Sequence, residues 1–244
     1  MATVILARHG RSTANVSGTL AGRTKGVHLD DGGREQARAL AERLAILPLA
    51  AIVSSPLERC RETAREIARA RADGARVLTD RALLECDYGS WTGRPLKDLA
   101  KQPLWKTVQT HPSAAAFPEG ESMAHMMARS VEAVRRWDAR VEEEQGVDAV
   151  WVAVSHGDVI KSVLADALGM HLDQFQRIVV DPASLSVIRY TPMRPFVVST
   201  NSSQGDLGFL RPPKRRRRRA SSDAPVGGGA GPGGSPSTAR RGTA

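Results

Sequence analysis

Two histidines in this chain stand in the same local setting. The short apolar run Thr3-Val4-Ile5-Leu6-Ala7 leads into Arg8-His9-Gly10, and Ala149-Val150-Trp151-Val152-Ala153-Val154 leads into Ser155-His156-Gly157. Apolar runs of this length read as buried strands. Each histidine is therefore expected at the carboxyl end of a strand, with a glycine behind it that permits a sharp turn and close backbone approach. A third run, Ala51-Ile52-Val53, is followed by Ser54-Ser55-Pro56 and then by Arg59. Serine can cap a helix and proline suits its first turn, so Ser55-Pro56 is expected to open a helix that carries Arg59. Two histidines, Arg8, Arg59 and a helix N-terminus could then converge. That set suits phosphoryl transfer. Guanidinium forks match phosphate oxygens, and one of the imidazoles, neutral near pH 7, could act as nucleophile. Positive donors around the equatorial oxygens supply the rest of the requirement. The leaving oxygen still needs an acid, and the loop Leu84-Glu85-Cys86-Asp87-Tyr88-Gly89 offers two carboxyls.

The elements that must hold these residues alternate in period. Residues 32–46 read as a helix with Ala37, Leu40, Ala41 and Leu44 on one side, and residues 121–144 as a long one with Met123, Met127, Val131, Val134 and Val141 inward. After His156, the spacing of Ile160, Val163, Leu164, Ala167 and Leu168 predicts a helix that stops at Gly169. Val77-Leu78, Leu185-Ser186-Val187-Ile188 and Phe196-Val197-Val198 read as further strands. Residues 94–111 read as short helices interrupted by Pro103. Strands alternating with helices predict an α/β fold with a mostly parallel sheet, whose ligands bind beyond the carboxyl ends of the strands.

Composition bounds the alternatives. Of the 244 residues, 41% are hydrophobic but only 4% aromatic, so the core must be built from Ala, Val, Leu and Ile. No apolar run approaches the roughly 20 residues of a membrane helix. The start, MATVILARHG, does not read as a secretory signal. Two cysteines, Cys60 and Cys86, are too few for a disulfide framework or a four-ligand zinc site. A soluble, reduced, cytoplasmic protein with no membrane contact is expected. The net charge is +9, of which residues 201–244 carry +7. Composition breaks near residue 211, where Gly and Pro become dense and large aliphatic residues nearly vanish. We expect a catalytic domain over 1–210 and a disordered basic tail over 211–244, with its like-charge run at Lys214–Arg219 solvated. A polyanion-binding protein acting through that tail is the competing class. The near-neutral body and the lack of interleaved aromatics speak against nucleic acid as the main partner, leaving weak nonspecific contact through the tail.

Five segments in order sharpen this reading. Arg8-His9-Gly10-Arg11-Ser12 with Asn15 resembles the RHG signature of the histidine phosphatase superfamily, which includes the cofactor-dependent phosphoglycerate mutases. Ser54-Ser55-Pro56-Leu57-Glu58-Arg59-Cys60-Arg61-Glu62-Thr63-Ala64 resembles its second block, and Leu84-Glu85 with Gly89, Trp91 and Gly93 its third. Gly120-Glu121-Ser122 and Ser155-His156-Gly157-Asp158 resemble the fourth and fifth. The resemblance implies a three-layer α/β/α fold of the phosphoglycerate mutase type, acting on a small phosphorylated substrate. It implies that His9 is phosphorylated, that Arg8, Arg59 and His156 hold the phosphoryl group with Asn15 as a further contact, and that Glu85 is the proton donor, with Asp87 in reserve. No metal and no cofactor are implied. Arg11 stands where many members carry Glu or Gln. The Trp-Asn pair associated with the glycolytic mutases is missing, which favours hydrolysis over a phosphomutase reaction.

The remaining candidates have plainer readings. His28, His111, His125 and His171 match no block. Cys60 and Cys86 read as small apolar packing residues, and Arg61, Arg65 and Arg69 as a solvated face. Glu121 reads as a first-turn helix charge. Specificity is expected in residues 94–125, roofing the site, where Arg94, Lys97, Lys101 and Lys106 could attract a second acidic group or equally be solvated helix residues. Neither the substrate nor the oligomeric state is legible.

Overall fold

The computed structural model describes residues 2–71 and 74–211. The chain runs β1 (Thr3–Arg8), α1 (Thr13–Ser17), α2 (Asp31–Ala45), β2 (Leu49–Ser54), α3 (Glu58–Arg69), β3 (Val77–Thr79), α4 (Leu96–Leu99) and α5 (Pro103–Thr110). It continues through α6 (Met123–Gln145), β4 (Val150–Ser155), α7 (Gly157–Ala167), β5 (Leu185–Arg189) and β6 (Phe196–Ser202). The strands form one sheet in the order β3-β2-β4-β1-β5-β6. β3, β2, β4 and β1 are parallel to one another, while β5 runs against β1 and β6 against β5. The short link between β5 and β6 explains that last reversal, because a parallel pair needs a crossover of a dozen residues or more.

Alternate side chains of the strands feed two separate cores. Ile5 and Ala7 of β1, with Val150, Val152 and Val154 of β4, meet Leu40, Ala41 and Leu44 of α2 and Ala64 and Ile67 of α3. Val4 and Leu6, with Trp151 and Ala153, meet Met123, Met126, Val134 and Val141 of α6 and Val159, Ile160, Val163 and Leu164 of α7. This period-2 division of each strand, matched by helices on both faces, produces the three-layer α/β/α architecture. Truncating one fully buried residue such as Ile67 or Leu44 to alanine would cost about 2–5 kcal/mol.

The parallel strands bring their carboxyl ends to one edge. Arg8 lies opposite Ser155, and Ser54 opposite Val154. His9, Ser55 and His156 each follow directly.

Three local expectations differ from what is observed. α3 begins at Glu58, behind Leu57, with no side-chain cap; Ser55 instead turns its hydroxyl to His156 at 2.9 Å. Pro103 does not interrupt a helix but opens α5, where its missing N–H costs nothing. Glu121 lies outside α6, which Ser122 caps by accepting from the His125 N–H. Among the described residues, no helix is long and apolar enough to cross a membrane. Arg211 donates to the Ile46 carbonyl at 3.0 Å, and the rest of the expected tail, 212–244, lies outside the described residues.

Candidate active site

A pocket of about 350 Å³ opens at this sheet edge. Its wall includes Arg8, His9, Ser12, Asn15, Arg59 and Glu85. His9 follows β1 and is 4% exposed. Its Nδ1 lies 2.7 Å from the Gly10 carbonyl, which can only accept, so Nδ1 carries the proton and Nε2 keeps its lone pair. Burial and the two neighbouring guanidiniums hold the imidazole well below its usual pKa, so it is neutral near pH 7. Gly10 is required by packing: a Cβ there would stand 2.4 Å from the Gly33 carbonyl oxygen. Gly157 is under no such constraint, since its Cβ would meet the Arg8 side chain at an ordinary 3.5 Å.

Arg59, second residue of α3, is 2% exposed. Its Nε donates to His9 Nε2 at 3.3 Å and its Nη2 to the Gly22 carbonyl at 2.8 Å. Arg8 donates from Nη1 to the Val180 carbonyl at 2.6 Å. Arg59 Nη1 and Arg8 Nε are buried with no hydrogen-bond partner among the described residues. Two unpaired guanidinium donors beside an unprotonated imidazole nitrogen form a cradle that suits a tetrahedral anion. Thr63 Oγ1 braces it, accepting from the Gly10 N–H and donating to the Arg59 carbonyl.

His156 caps the start of α7 and is fully buried behind the wall, its ring centroid 5.3 Å from that of His9 in an edge-on arrangement. Burial and Arg59 lower its pKa as well. Glu85 Oε2 stands 4.0 Å from His156 Nδ1, and Oε1 accepts from the Cys86 N–H. With a neutral imidazole the two are neighbours rather than an ion pair. Burial, together with the nearby Asp158 carboxylate, pushes the Glu85 carboxyl up to about 7. It can therefore hold a proton near neutrality and give it up, as a general acid must.

The expected residues come together unevenly. Arg8, His9, Arg59, Glu85 and His156 converge. Asn15 reaches the wall, but its Oδ1 already accepts from the Ser12 N–H and hydroxyl, a capping box that shapes α1. Asp87, the reserve acid, does not line the pocket: it accepts from Arg23 at 3.2 Å and from the Gly89 N–H. Of residues 94–125, Leu96 lines the pocket; Arg94, Lys97, Lys101 and Lys106 do not, and Lys101 pairs with Asp98, which favours the solvated-helix reading of these residues. The outer wall comes from Leu20–Gly22 and from Gln176 and Ile178–Val180. Sequence reasoning missed Asp158, Lys161 and Tyr88, whose hydroxyl donates to Asp158 at 2.8 Å. The first two were within reach: they lie two and five residues past His156, in the opening turns of a helix that starts at the site. Cys60 and Cys86 are buried, and burial pushes the Cys60 thiol up to about 12, as suits packing residues.

The chain is similar to known proteins in sequence and in fold. Residues 4–203 match the histidine phosphatase superfamily, branch 1. Phosphoserine phosphatase 1 of Hydrogenobacter thermophilus is 31% identical over 208 residues, covering 82% of this chain and 92% of that protein. A probable phosphoglycerate mutase GpmB of Yersinia enterocolitica is 31% identical over 192 residues, 78% of this chain and 86% of the relative. Among solved structures, YhfR of Bacillus stearothermophilus superposes with a TM-score of 0.75 at 25% identity, covering 83% of this chain and 98% of its own. A mycobacterial glucosyl-3-phosphoglycerate phosphatase in complex with VO3 gives 0.73 at 27% identity, over 82% and 98%. With the family model matching residues 4–203 and a relative 31% identical over 82% of this chain's length, the chain belongs to the histidine phosphatase superfamily.

Proposed function

We propose that this enzyme hydrolyses small phosphomonoesters through a phosphohistidine on His9. The observation that carries the reading is the His9 ring itself. Its Nδ1–H is committed to Gly10, and its Nε2 lone pair sits against Arg59 with unpaired guanidinium donors around it. Nε2 attacks phosphorus, the P–O bond to the leaving group breaks, and the leaving oxygen takes its proton from Glu85. Arg8 and Arg59 share the charge of the transferring group, assisted by His156 and Asn15 at its edges. Water then attacks phosphorus and gives a proton to the Glu85 carboxylate. The P–N electron pair returns to His9, and inorganic phosphate leaves. Residues 1–210 do this work, and the tail from 211 takes no part in it. Two buried free thiols favour the reducing cytoplasm.

A mutase would have to keep water from the phosphoenzyme. Val179 and Leu96, on the pocket wall, are 60% and 38% exposed, so the mouth is open to solvent. The leaving-group side holds Lys161, which donates to Gln176 and has no carboxylate partner among the described residues. A substrate with a second anionic group fits there, as in the phosphoserine and phosphoglycerate for which relatives are named. The test is a panel of phosphorylated hydroxy and amino acids, with free phosphate and isomerised ester measured together. Phosphate as the main product is expected. Isomerised ester in excess would make the enzyme a phosphomutase.

A further inference from the structure

Glu121, expected to be a simple helix-end charge, is the centre of a clamp. Its carboxylate is only 9% exposed and lies between two guanidiniums: Arg23 Nη2 at 2.8 Å, and Arg129 Nη2 and Nε at 2.5 and 3.0 Å. It also accepts from the Asp87 N–H at 2.9 Å. Both arginines reach past it to the same strip of backbone. Arg23 Nε donates to the Glu85 carbonyl at 2.9 Å. Arg129 Nη2 donates to that carbonyl at 3.1 Å, and its Nη1 to the carbonyls of Ala82 and Leu84 at 2.7 and 2.8 Å. Beyond the short 3-10 turn at Arg81–Leu83, residues 84–87 lie in no helix or strand that could satisfy the Leu84 and Glu85 carbonyls. Side chains must do so, and the ones that do come from two distant parts of the chain.

We propose that Arg23, Glu121 and Arg129 are positioning residues for Glu85: they fix the backbone from which its carboxyl projects into the pocket. The inference rests on the reading of Glu85 as the acid. None of the three touches the phosphate cradle with its side chain, and none lines the pocket. Glu121 holds the two guanidiniums side by side by cancelling their repulsion, and they in turn hold the Glu85 carbonyl from two sides. Arg23 also follows Gly22, whose carbonyl takes Arg59 Nη2, so the clamp ties the acid's loop to the phosphate side of the site. A proton donor displaced by even about 1 Å loses much of its advantage.

The test uses Arg129→Lys, which keeps the charge and loses the fork, and Glu121→Gln, which keeps the shape and loses the charge. Each is made alone and together with Glu85→Gln, and thermal melting verifies folding of every variant. Turnover is measured on an alkyl phosphate, which needs its leaving oxygen protonated, and on p-nitrophenyl phosphate, which does not. Each clamp variant should lose on the order of 10- to 100-fold on the alkyl ester and less than about 2-fold on the nitrophenyl ester. In the Glu85→Gln background it should cost almost nothing more, because its effect passes through that carboxyl. Equal losses on both esters, or full additivity with Glu85→Gln, would overturn the clamp while leaving the acid assignment standing. If Glu85→Gln alone fails to discriminate between the esters, the acid assignment falls, and the positioning role falls with it.

Discussion

Replacing Glu85 by glutamine should make the protein more stable at alkaline pH. The carboxyl is buried and faces Asp158, which moves its pKa from 4.5 to about 7. A raised folded pKa means that the native state binds the proton more tightly than the unfolded chain does. Below about pH 4.5 the carboxyl is protonated in both states and costs nothing. As pH rises the unfolded chain ionises first, so native stability falls until the folded group also ionises near pH 7, and the loss is constant above that. The interval from 4.5 to about 7 corresponds to a few kcal/mol. Glutamine does not ionise. The stability difference between Glu85→Gln and the wild type, measured by urea denaturation from pH 4 to pH 8.5, should therefore grow by about that amount between pH 4.5 and 7 and then level off. The same proton is the one given to the leaving group, so kcat for alkyl phosphates should fall above about pH 7 in the wild type. A stability difference that does not change with pH would show that Glu85 is not held protonated, and the acid role would lose its physical basis.

Other consequences follow from the same geometry. Arg59→Ala should lower kcat/KM by about 10²–10³-fold through loss of a buried charged donor, and Arg59→Lys should recover only part of it, because an ammonium cannot bridge His9 and Gly22 as the fork does; steady-state kinetics decide. Lys161→Met should raise KM for phosphorylated hydroxy acids while sparing alkyl phosphates that carry no second anionic group, and an equal effect on both would remove Lys161 from the leaving-group subsite. Deleting residues 212–244 should leave melting temperature and turnover unchanged at low and high salt; loss of most activity at both salts would mean that the tail belongs to the catalytic unit.

The chemistry was more legible than its surroundings. His9 and His156 could be placed because an apolar run ending in a His-Gly step specifies both a strand and its exit, and the parallel order of β2, β4 and β1 delivers all such exits to one edge. Arg59 was legible from its distance to the end of β2. What escaped depends on contacts between distant segments. Nothing local in Gln176–Val180 announces a pocket wall; it becomes one because the Val180 carbonyl meets Arg8, 172 residues away. Glu85 and Asp87 are alike in residue type within the loop sequence; what distinguishes their surroundings is a long-range contact, from Arg23 to Asp87. Ser55 read as a cap because serine before proline usually is one, but the buried His156 competes for its hydroxyl. Strand direction is likewise invisible to periodicity, so the reversal of β5 had no local signal.

The central claim, a covalent bond from phosphorus to His9 Nε2, is tested most directly by trapping. The enzyme is mixed with excess substrate, quenched in alkali within milliseconds to preserve the acid-labile P–N bond, digested and sequenced by mass spectrometry. One phosphoryl group on the peptide containing Arg8-His9-Gly10, lost in His9→Ala together with turnover, is the predicted result. Phosphate on any other residue, or a His9→Ala variant that still turns over substrate through a phosphoenzyme, would contradict the account.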